Sequence, residues 1–297
     1  MAADDDRTLP QAGQTTGPGP EPGPGPASGL VAGPGPGSST GAGQDLAVAD
    51  ATVTGHGRAS TGPGLPASGG VPALSVRGLS KSFGTGQART VALEAVDLDV
   101  SPGELVLLMG PSGSGKTTLL SIMGCILRPD GGSLAVRGVQ AVGLSEPELC
   151  RLRLAHIGFV FQSYNLFPTL KAVENVMVAL DLKGVRGRSA RDRAGEVMEA
   201  VGLGDKLDSL PADLSGGQKQ RLAIARALAA DPEIILADEP TAALDSVNGR
   251  LVIGLLRDLA SSRGRSVVVV THDNRILEFA DRIAHIEDGR LSVLEAA

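Results

Sequence analysis

Residues 105–120 predict a strand, a turn and a helix in direct succession. The apolar run 105–109 indicates a short buried strand, the glycine-rich run 110–115 a loop, and Lys116 and Thr117 open an apolar helix. This fits the pattern Gly-x-x-x-x-Gly-Lys-Ser/Thr. Glycines permit backbone angles at which N–H groups converge on an anion, and the start of the helix adds the positive end of its dipole. The stretch therefore predicts a phosphate-binding loop.

The phosphate-loop pattern gives two of its residues candidate roles in binding a nucleotide. Lys116 would reach the β- and γ-phosphates of a nucleotide, and the Thr117 hydroxyl would hold Mg²⁺. A chance match is the alternative, with a probability of roughly 1% in a chain of this length. The candidate phosphate-contacting residues are Gly110, Pro111, Ser112, Gly113, Ser114, Gly115, Lys116, Thr117 and Thr118.

Polar residues follow other predicted buried strands. The apolar run 234–237 ends in Asp238 and Glu239, and His272 closely follows the run 266–270. Because ligands gather at the carboxyl edge of a parallel sheet, Asp238 could hold Mg²⁺ and Glu239 could orient or deprotonate a water. Gln162 follows a third short strand, where a metal or water contact and a simple strand cap are both open.

Two further features have a structural and a functional reading. Residues 214–221 (LSGGQKQR) open a helix with Ser215 as its N-cap, and Gly216 and Gly217 could make a second backbone anion site. An ordinary capped helix is the alternative. Phe83, in a predicted loop 81–84, is either a satellite hydrophobe or a platform on which a flat base stacks.

Composition separates the N-terminal segment from the rest. Residues 1–70 contain 17 glycines and 10 prolines with no aromatic residue, so they cannot bury enough apolar surface to offset their ordering entropy. We expect residues 1–71 to be a disordered tail and order to begin at residue 72. A tether or a partner-binding role is the alternative for this tail.

Charge and hydropathy exclude some classes of protein. The tail contributes −4 of a formal net charge of −6, so the remainder is almost balanced, which argues against a nucleic-acid partner. No apolar run reaches the ~18 residues that span a bilayer, and the acidic N-terminus is unlike a secretory signal. We expect a cytoplasmic protein in which Cys125 and Cys150 are buried thiols.

Strands alternate with helices from residue 73 onward, which predicts an α/β domain over 72–297 with a mainly parallel central sheet. A helical insertion is expected between Gln162 and the strand of Asp238, roughly residues 163–228. We expect residues 165–214 to be helical throughout, with 183–193 as a basic, solvated connection.

Taken together, residues 73–297 resemble the nucleotide-binding subunit of an ATP-binding cassette (ABC) transporter. The phosphate loop, Gln162, the signature 214–218, the acids at 238–239, the D-loop 242–245 and His272 occur in the family's order. Residues 156–170 and 235–245 are similar to the lipoprotein-release and macrolide-export (LolD/MacB) branch, and DevA-type exporter ATPases are more similar still. The tail and Cys125 depart from the family pattern.

The resemblance implies a P-loop NTPase fold with an antiparallel β edge and a helical subdomain. It also implies that two copies pair head to tail around two ATP, each ATP lying on one copy's Lys116 loop and under the other copy's signature. Glu239 would be the general base, and His272 would contact the γ-phosphate. Mg²⁺ would be held by Thr117, Gln162 and Asp238. The remaining implied nucleotide contacts are Phe83, Ser215, Gly216, Gly217, Gln218 and Asp245.

The implied partners are a second copy and an integral-membrane permease, with a membrane-fusion protein as a further candidate. The chain would then lie at the inner face of the cell membrane. A cell-division cassette of the FtsE kind, which drives wall hydrolases, has similar motifs and is the alternative. A DNA-repair or translation ATPase is disfavoured because the chain has no long coiled coil, no second cassette and no basic bias.

Overall fold

The computed structural model describes residues 70–295. The expectation of a disordered tail over residues 1–71 falls almost wholly outside this range. The first strand of the described residues starts at Leu74, and the boundary at residue 72 stays a prediction. None of the helices in the described range is both long and apolar enough to cross a membrane.

Ten strands and six α-helices make up the described part of the chain. The strands are β1 (Leu74–Phe83), β2 (Thr90–Val100), β3 (Leu105–Met109), β4 (Gly131–Val136), β5 (Val139–Gln140), β6 (Ile157–Val160), β7 (Ile234–Asp238), β8 (Ser266–Val270), β9 (Arg282–Glu287) and β10 (Arg290–Glu295). The helices are α1 (Lys116–Met123), α2 (Glu146–His156), α3 (Ala172–Leu182), α4 (Gly187–Ala200), α5 (Gly216–Ala229) and α6 (Ser246–Arg263).

The central sheet has six strands in the order β10-β9-β3-β8-β7-β6. All neighbours pair in parallel except β10, which is antiparallel to β9. Every residue of β3, β7 and β8 is buried, as expected for strands covered on both faces. Alternate residues of β3 enter two cores: Leu107 lies in the core with the helical insertion, and Leu108 in the core beneath the second sheet. The predicted parallel α/β architecture is confirmed.

The second sheet supplies the predicted antiparallel edge. Its strands lie in the order β2-β1-β4-β5. Strands β4 and β5 form a hairpin, because Arg137 and Gly138 both have positive φ and turn the chain. Phe83, predicted in a loop, is the last residue of β1.

Helices α3, α4 and α5 lie between β6 and β7 in the sequence. They pack against one another and form the helical insertion. The prediction of helix throughout 165–214 is wrong at both ends, whereas the break at 183–186 lies within the predicted connection. Residues 161–171 and 201–215 lie outside α-helix, and two short 3₁₀ turns, Gly204–Lys206 and Pro211–Asp213, occupy part of the second gap. Pro168 and Gly202 account for two of the breaks. The basic connection is shorter than predicted, because α4 already begins at Gly187.

The two cysteines have different surroundings. Cys125 is buried, and burial raises the pKa of its thiol to about 11. Cys150 is exposed on α2, so the expectation of a buried thiol is wrong for this residue. Its Sγ lies 2.8 Å from a guanidinium nitrogen of Arg153.

Candidate active site

The phosphate loop joins β3 to α1 and is shaped by glycines at two tight contacts. Gly110 has φ 145° and Gly115 has φ 106°, both in the region that favours glycine. A Cβ on Gly110 would lie 2.0 Å from the carbonyl oxygen of Ile286, and one on Gly115 would lie 2.2 Å from that of Ala92. The loop is therefore wedged between β9 and β2, where only glycine fits.

The interior of the loop presents a cation and a free hydroxyl. The ammonium group of Lys116 donates to the carbonyl oxygens of Gly110 at 2.8 Å and Pro111 at 2.6 Å, and the residue is buried. The Ser114 hydroxyl is also buried and has no hydrogen-bond partner among the described residues. A buried, unpaired hydroxyl beside a lysine suits a bound oxyanion. Of the other loop residues, Pro111, Ser112, Gly113 and Thr117 are exposed, and Thr118 is half-buried.

Thr117 and Asp238 meet at the carboxyl edge of the sheet. The Thr117 hydroxyl donates to the Asp238 carboxylate at 3.3 Å. Burial raises the pKa of Asp238, the nearby charge of Glu239 adds to this, and the hydrogen bond from Thr117 opposes it. One hydroxyl and one carboxylate are ligands of the kind that Mg²⁺ takes together with substrate phosphates. The described residues hold no group of three or more His, Cys, Asp or Glu side chains arranged for a metal.

Glu239 is held in an unusual conformation next to His272. Its φ is 47°, in the left-handed region that non-glycine residues rarely adopt, and its N–H donates to the Val270 carbonyl at 2.9 Å. Oε1 lies 2.8 Å from Nδ1 of His272. The other oxygen, Oε2, is buried and unpartnered in the described structure. Glu239 therefore has one oxygen fixed by an imidazole and one available to accept a proton.

The loop that carries His272 is tied to the loop after Glu239. Asp273 accepts hydrogen bonds from the Thr241 hydroxyl at 3.2 Å and from Arg275, whose guanidinium also donates to Ser246. The Arg275 guanidinium beside it holds the pKa of Asp273 below its usual range. A cavity of about 220 Å³ lies between these groups, lined by Glu239 and His272 among others. Thr241, Asp273 and Arg275 were not predicted, because their residue types form no pattern in the sequence.

The signature segment forms the start of α5. The Ser215 hydroxyl accepts from the Gln218 N–H at 3.3 Å, and Gln218 Oε1 accepts from the Ser215 N–H at 2.8 Å, a reciprocal cap. Ser215 and Gly216 are exposed, so the N–H groups at this helix start face outward. Among the hydrogen bonds of the described residues, none joins this segment to residues 110–117. The two predicted anion sites of one chain are therefore not joined by hydrogen bonds within the described residues.

The D-loop lies directly against the signature. The Asp245 carboxylate caps α6 by accepting from the Val247 and Asn248 N–H groups at 3.0 and 2.9 Å, bonds that hold its pKa below the usual value. Asn248 Nδ2 donates to the same carboxylate at 2.7 Å. A Cβ on Gly217 would lie 2.7 Å from Asn248 Oδ1, so glycine allows this close approach.

Phe83 and Gln162 both lie close to strands that bear site residues. Phe83 is 45% exposed and pairs with Thr90, near the residues of β2 on which Gly115 rests. The Lys81 ammonium lies 5.7 Å from the centre of the Phe83 ring. Gln162 is exposed just beyond β6, which pairs with the Asp238 strand.

Fold and site together define a nucleotide-hydrolysing cassette, and comparison with known proteins agrees. The family model described as ABC transporter matches residues 93–242. The chain therefore belongs to the ABC transporter family, of which it is an ATP-binding cassette and an ATP hydrolase.

Two curated relatives indicate which branch of the ABC transporter family this chain is similar to. The macrolide export ATP-binding/permease protein MacB of Rhodopseudomonas palustris is 44% identical over 75% of this chain and 35% of its own length. An uncharacterized ABC transporter ATP-binding protein of Thermotoga maritima is 46% identical over 72% of this chain and 92% of its own length. The chain spans about a third of the MacB relatives that it matches. The predicted likeness to the LolD/MacB branch is confirmed.

A solved structure shares the fold. A dimeric post-hydrolysis state of the ATP-binding cassette MJ0796, bound to ADP and Pi, superposes with a TM-score of 0.71. It is 41% identical and covers 75% of this chain and 98% of that one.

Proposed function

We propose that this chain is the ATP-hydrolysing subunit of an exporter, in which two copies close around two ATP molecules and drive a membrane permease. The observation that carries the hydrolytic part is the Glu239 carboxylate, with one oxygen fixed by His272 and the other buried and unpartnered. This pair lies beside Asp238, which contacts Thr117 of the phosphate loop.

The proposed chemistry follows from these groups. Glu239 Oε2 accepts a proton from a water whose oxygen bonds to the γ-phosphorus, while the bond to the β–γ bridging oxygen breaks. Lys116 exchanges its carbonyl partners for phosphate oxygens, and His272 orients Glu239 and contacts the γ-phosphate. Thr117, Gln162 and Asp238 would hold Mg²⁺, which neutralises phosphate charge. Phe83 would stack on the base, with Pro111, Ser112, Gly113, Ser114 and Thr118 around the phosphates.

Pairing of two copies is supported by the incompleteness of each site. The N–H groups at the start of α5 are exposed, and the helix is long enough to present its dipole to an anion. Ser215, Gly216, Gly217 and Gln218 of one copy would cover the ATP bound to Lys116 of the other, with Asp245 at the contact. The dimeric state of MJ0796 supports this arrangement.

A permease is the proposed occupant of an apolar groove. This groove is a cavity of about 550 Å³ bounded by α2, β6, α3 and α5. Phe167 and Leu182, which line it, are 47% and 68% exposed, and Phe159 and Phe161 stack nearby with ring centres 4.5 Å apart. Exposed apolar surface of this kind marks a protein contact. The name of the MacB relative includes a permease, which favours that partner and a place at the inner face of the cell membrane.

Purification from membranes tests this proposal. We expect the full chain to co-purify with an integral-membrane protein, identified by mass spectrometry, and reconstitution with it to stimulate ATP hydrolysis. A charged substitution in the groove, Leu182→Glu, should abolish co-purification, whereas Leu210→Glu, at another exposed leucine, should not. Equal recovery of the membrane protein with both variants would contradict the permease assignment, and a membrane-fusion protein in the purified complex would support the export role.

A further inference from the structure

The segment after Gln162 contains a turn that is strained at Tyr164. Tyr164 and Asn165 are consecutive residues in the left-handed region, with φ of 60° and 48°. For Tyr164 this costs on the order of 1 kcal/mol, whereas asparagine adopts the left-handed region more readily. The conformation of Tyr164 therefore persists only where its surroundings impose it.

Arg226 of α5 imposes this conformation. Its guanidinium donates to the Tyr164 carbonyl at 2.7 Å and also to the Asn165 carbonyl. Burial lowers the pKa of Arg226, and no carboxylate among the described residues lies within ion-pairing distance of it. A partly buried cation with two carbonyls as its partners is committed to holding this turn.

Asn175 of α3 fixes the continuation of the same segment. This side chain is completely buried. Its Oδ1 accepts from the Phe167 N–H at 2.8 Å, and its Nδ2 donates to the carbonyls of Phe167 and Leu170 at 3.1 and 3.0 Å. Residues 164–170 are therefore fastened to α3 and α5 and belong mechanically to the helical insertion.

The Tyr164 side chain connects this segment to the signature. A Cβ built on Gly216 would lie 3.6 Å from the Tyr164 hydroxyl oxygen, so the phenol lies beside the first turn of α5. Asn165 and Arg226 both line the groove. One short segment thus lines the groove at Asn165 and places the Tyr164 side chain beside the signature.

We propose that Tyr164 and Arg226 are positioning residues that set the signature segment for the ATP of the second copy. This inference rests on the proposed pairing of two copies. It predicts that loss of the Tyr164 side chain or of the Arg226 hydrogen bonds weakens pairing of the two copies. The Lys116 loop of each monomer should still bind ATP normally.

The test measures two equilibria in the full-length chain. In a Glu239→Gln background, ATP-dependent dimerisation is followed by analytical ultracentrifugation, and monomer affinity by titration with a fluorescent ATP analogue at low protein concentration. Tyr164→Ala and Arg226→Met should each raise the dimer dissociation constant about tenfold, the effect of losing one well-placed contact. Monomer affinity should stay within about twofold of the parent, a range of under 0.5 kcal/mol.

Two further variants separate positioning from general structural damage. Arg226→Lys, which keeps a donor, should recover part of the loss, and Arg191→Met, at an exposed arginine of the same insertion, should change neither equilibrium. Unaltered dimerisation of both Tyr164→Ala and Arg226→Met would overturn the inference, as would a matching loss of monomer affinity. Absence of any ATP-dependent dimer in Glu239→Gln alone would instead overturn the pairing itself, and this inference with it.

Discussion

The imidazole of His272 lies 2.8 Å from the carboxylate of Glu239, although the two residues are 33 positions apart. The contact fixes one carboxylate oxygen and leaves the other, Oε2, buried without a partner. His272 itself is 70% exposed along its side chain, whereas Glu239 is 12% exposed. We therefore expect Glu239 to accept the proton and His272 to orient Glu239.

Glu239→Gln should retain ATP binding and lose turnover by at least about a hundredfold, because an amide of the same shape cannot accept the proton. The variant should also accumulate an ATP-bound dimer, because the closed dimer reopens only after ATP is hydrolysed. Phosphate release and size-exclusion chromatography measure the two effects. Glu278→Gln, at an exposed carboxylate paired with Arg250, is the control and should hydrolyse normally. Turnover of Glu239→Gln at the parent rate would rule out the general-base assignment.

Lys116→Ala should lower the affinity for ATP by about a hundredfold, the equivalent of two charged hydrogen bonds to phosphate. Calorimetric titration measures the affinity of the variant for ATP. The side chain already lies inside the loop and contacts two carbonyls, so a stability measurement must accompany the titration. Lys171→Ala, at an exposed lysine paired with Asp208, should bind ATP normally. Unchanged binding by a folded Lys116→Ala variant would contradict the phosphate-loop role.

The parts of the site that could be predicted from the sequence are those whose chemistry is local. The phosphate loop and the acids after β7 are contiguous strings whose backbone conformation follows from neighbouring residues. Gly110 and Gly115 illustrate this, because each carries the positive φ that its motif position requires.

Contacts between distant segments could not be predicted. Arg226 meets the Asn165 carbonyl 61 positions away, and Asn175 looks like any polar residue of a helix until Phe167 folds back on it. The same long-range hydrogen bonds explain the wrong prediction of helix over 165–171. The side-chain hydrogen bonds of Arg226 and Asn175 hold this segment in a non-helical conformation.

Asp273→Asn should destabilise the fold by about 1–2 kcal/mol at neutral pH, because the amide loses charged hydrogen bonds from Arg275. The pKa of Asp273 is lowered in the folded state, so its carboxylate stabilises the fold above the unfolded pKa, near 4. That stabilisation is lost as the pH falls through the lowered folded pKa.

Chemical denaturation of Asp273→Asn and the parent from pH 3 to 7 measures this difference. The gap in the free energy of unfolding should be constant at neutral pH and shrink below about pH 4. Asp258→Asn is the matched control, because Asp258 is an exposed aspartate outside the ion pairs of the described residues. A gap that persists unchanged at low pH would show that the effect is not electrostatic.

Deletion of residues 1–70 should leave ATP hydrolysis within about twofold of the full chain, because the described domain holds every proposed catalytic and nucleotide-contacting residue. Steady-state phosphate release compares the two proteins, with thermal melting as a check on folding. A fall in activity beyond this range, with an unchanged melting temperature, would show that the segment takes part in the reaction cycle.

Gly217→Ala should lower both stability and turnover, because its Cβ would lie 2.7 Å from Asn248 Oδ1 and 2.9 Å from Cγ. Asn248 must then move away from Asp245, which loosens the cap of α6 at the D-loop. We expect a loss of about 1 kcal/mol in the free energy of unfolding, because the clash falls on the end of a side chain that can shift.

The control for this substitution is Gly254→Ala, also inside a helix but with no atom within 4 Å of the added Cβ. It should be neutral or stabilise the fold by about 1 kcal/mol, since alanine favours helix more than glycine does. Urea unfolding separates the two variants. If Gly217→Ala behaved like Gly254→Ala in both unfolding and phosphate release, the packing of the signature on the D-loop would have no part in holding the site together.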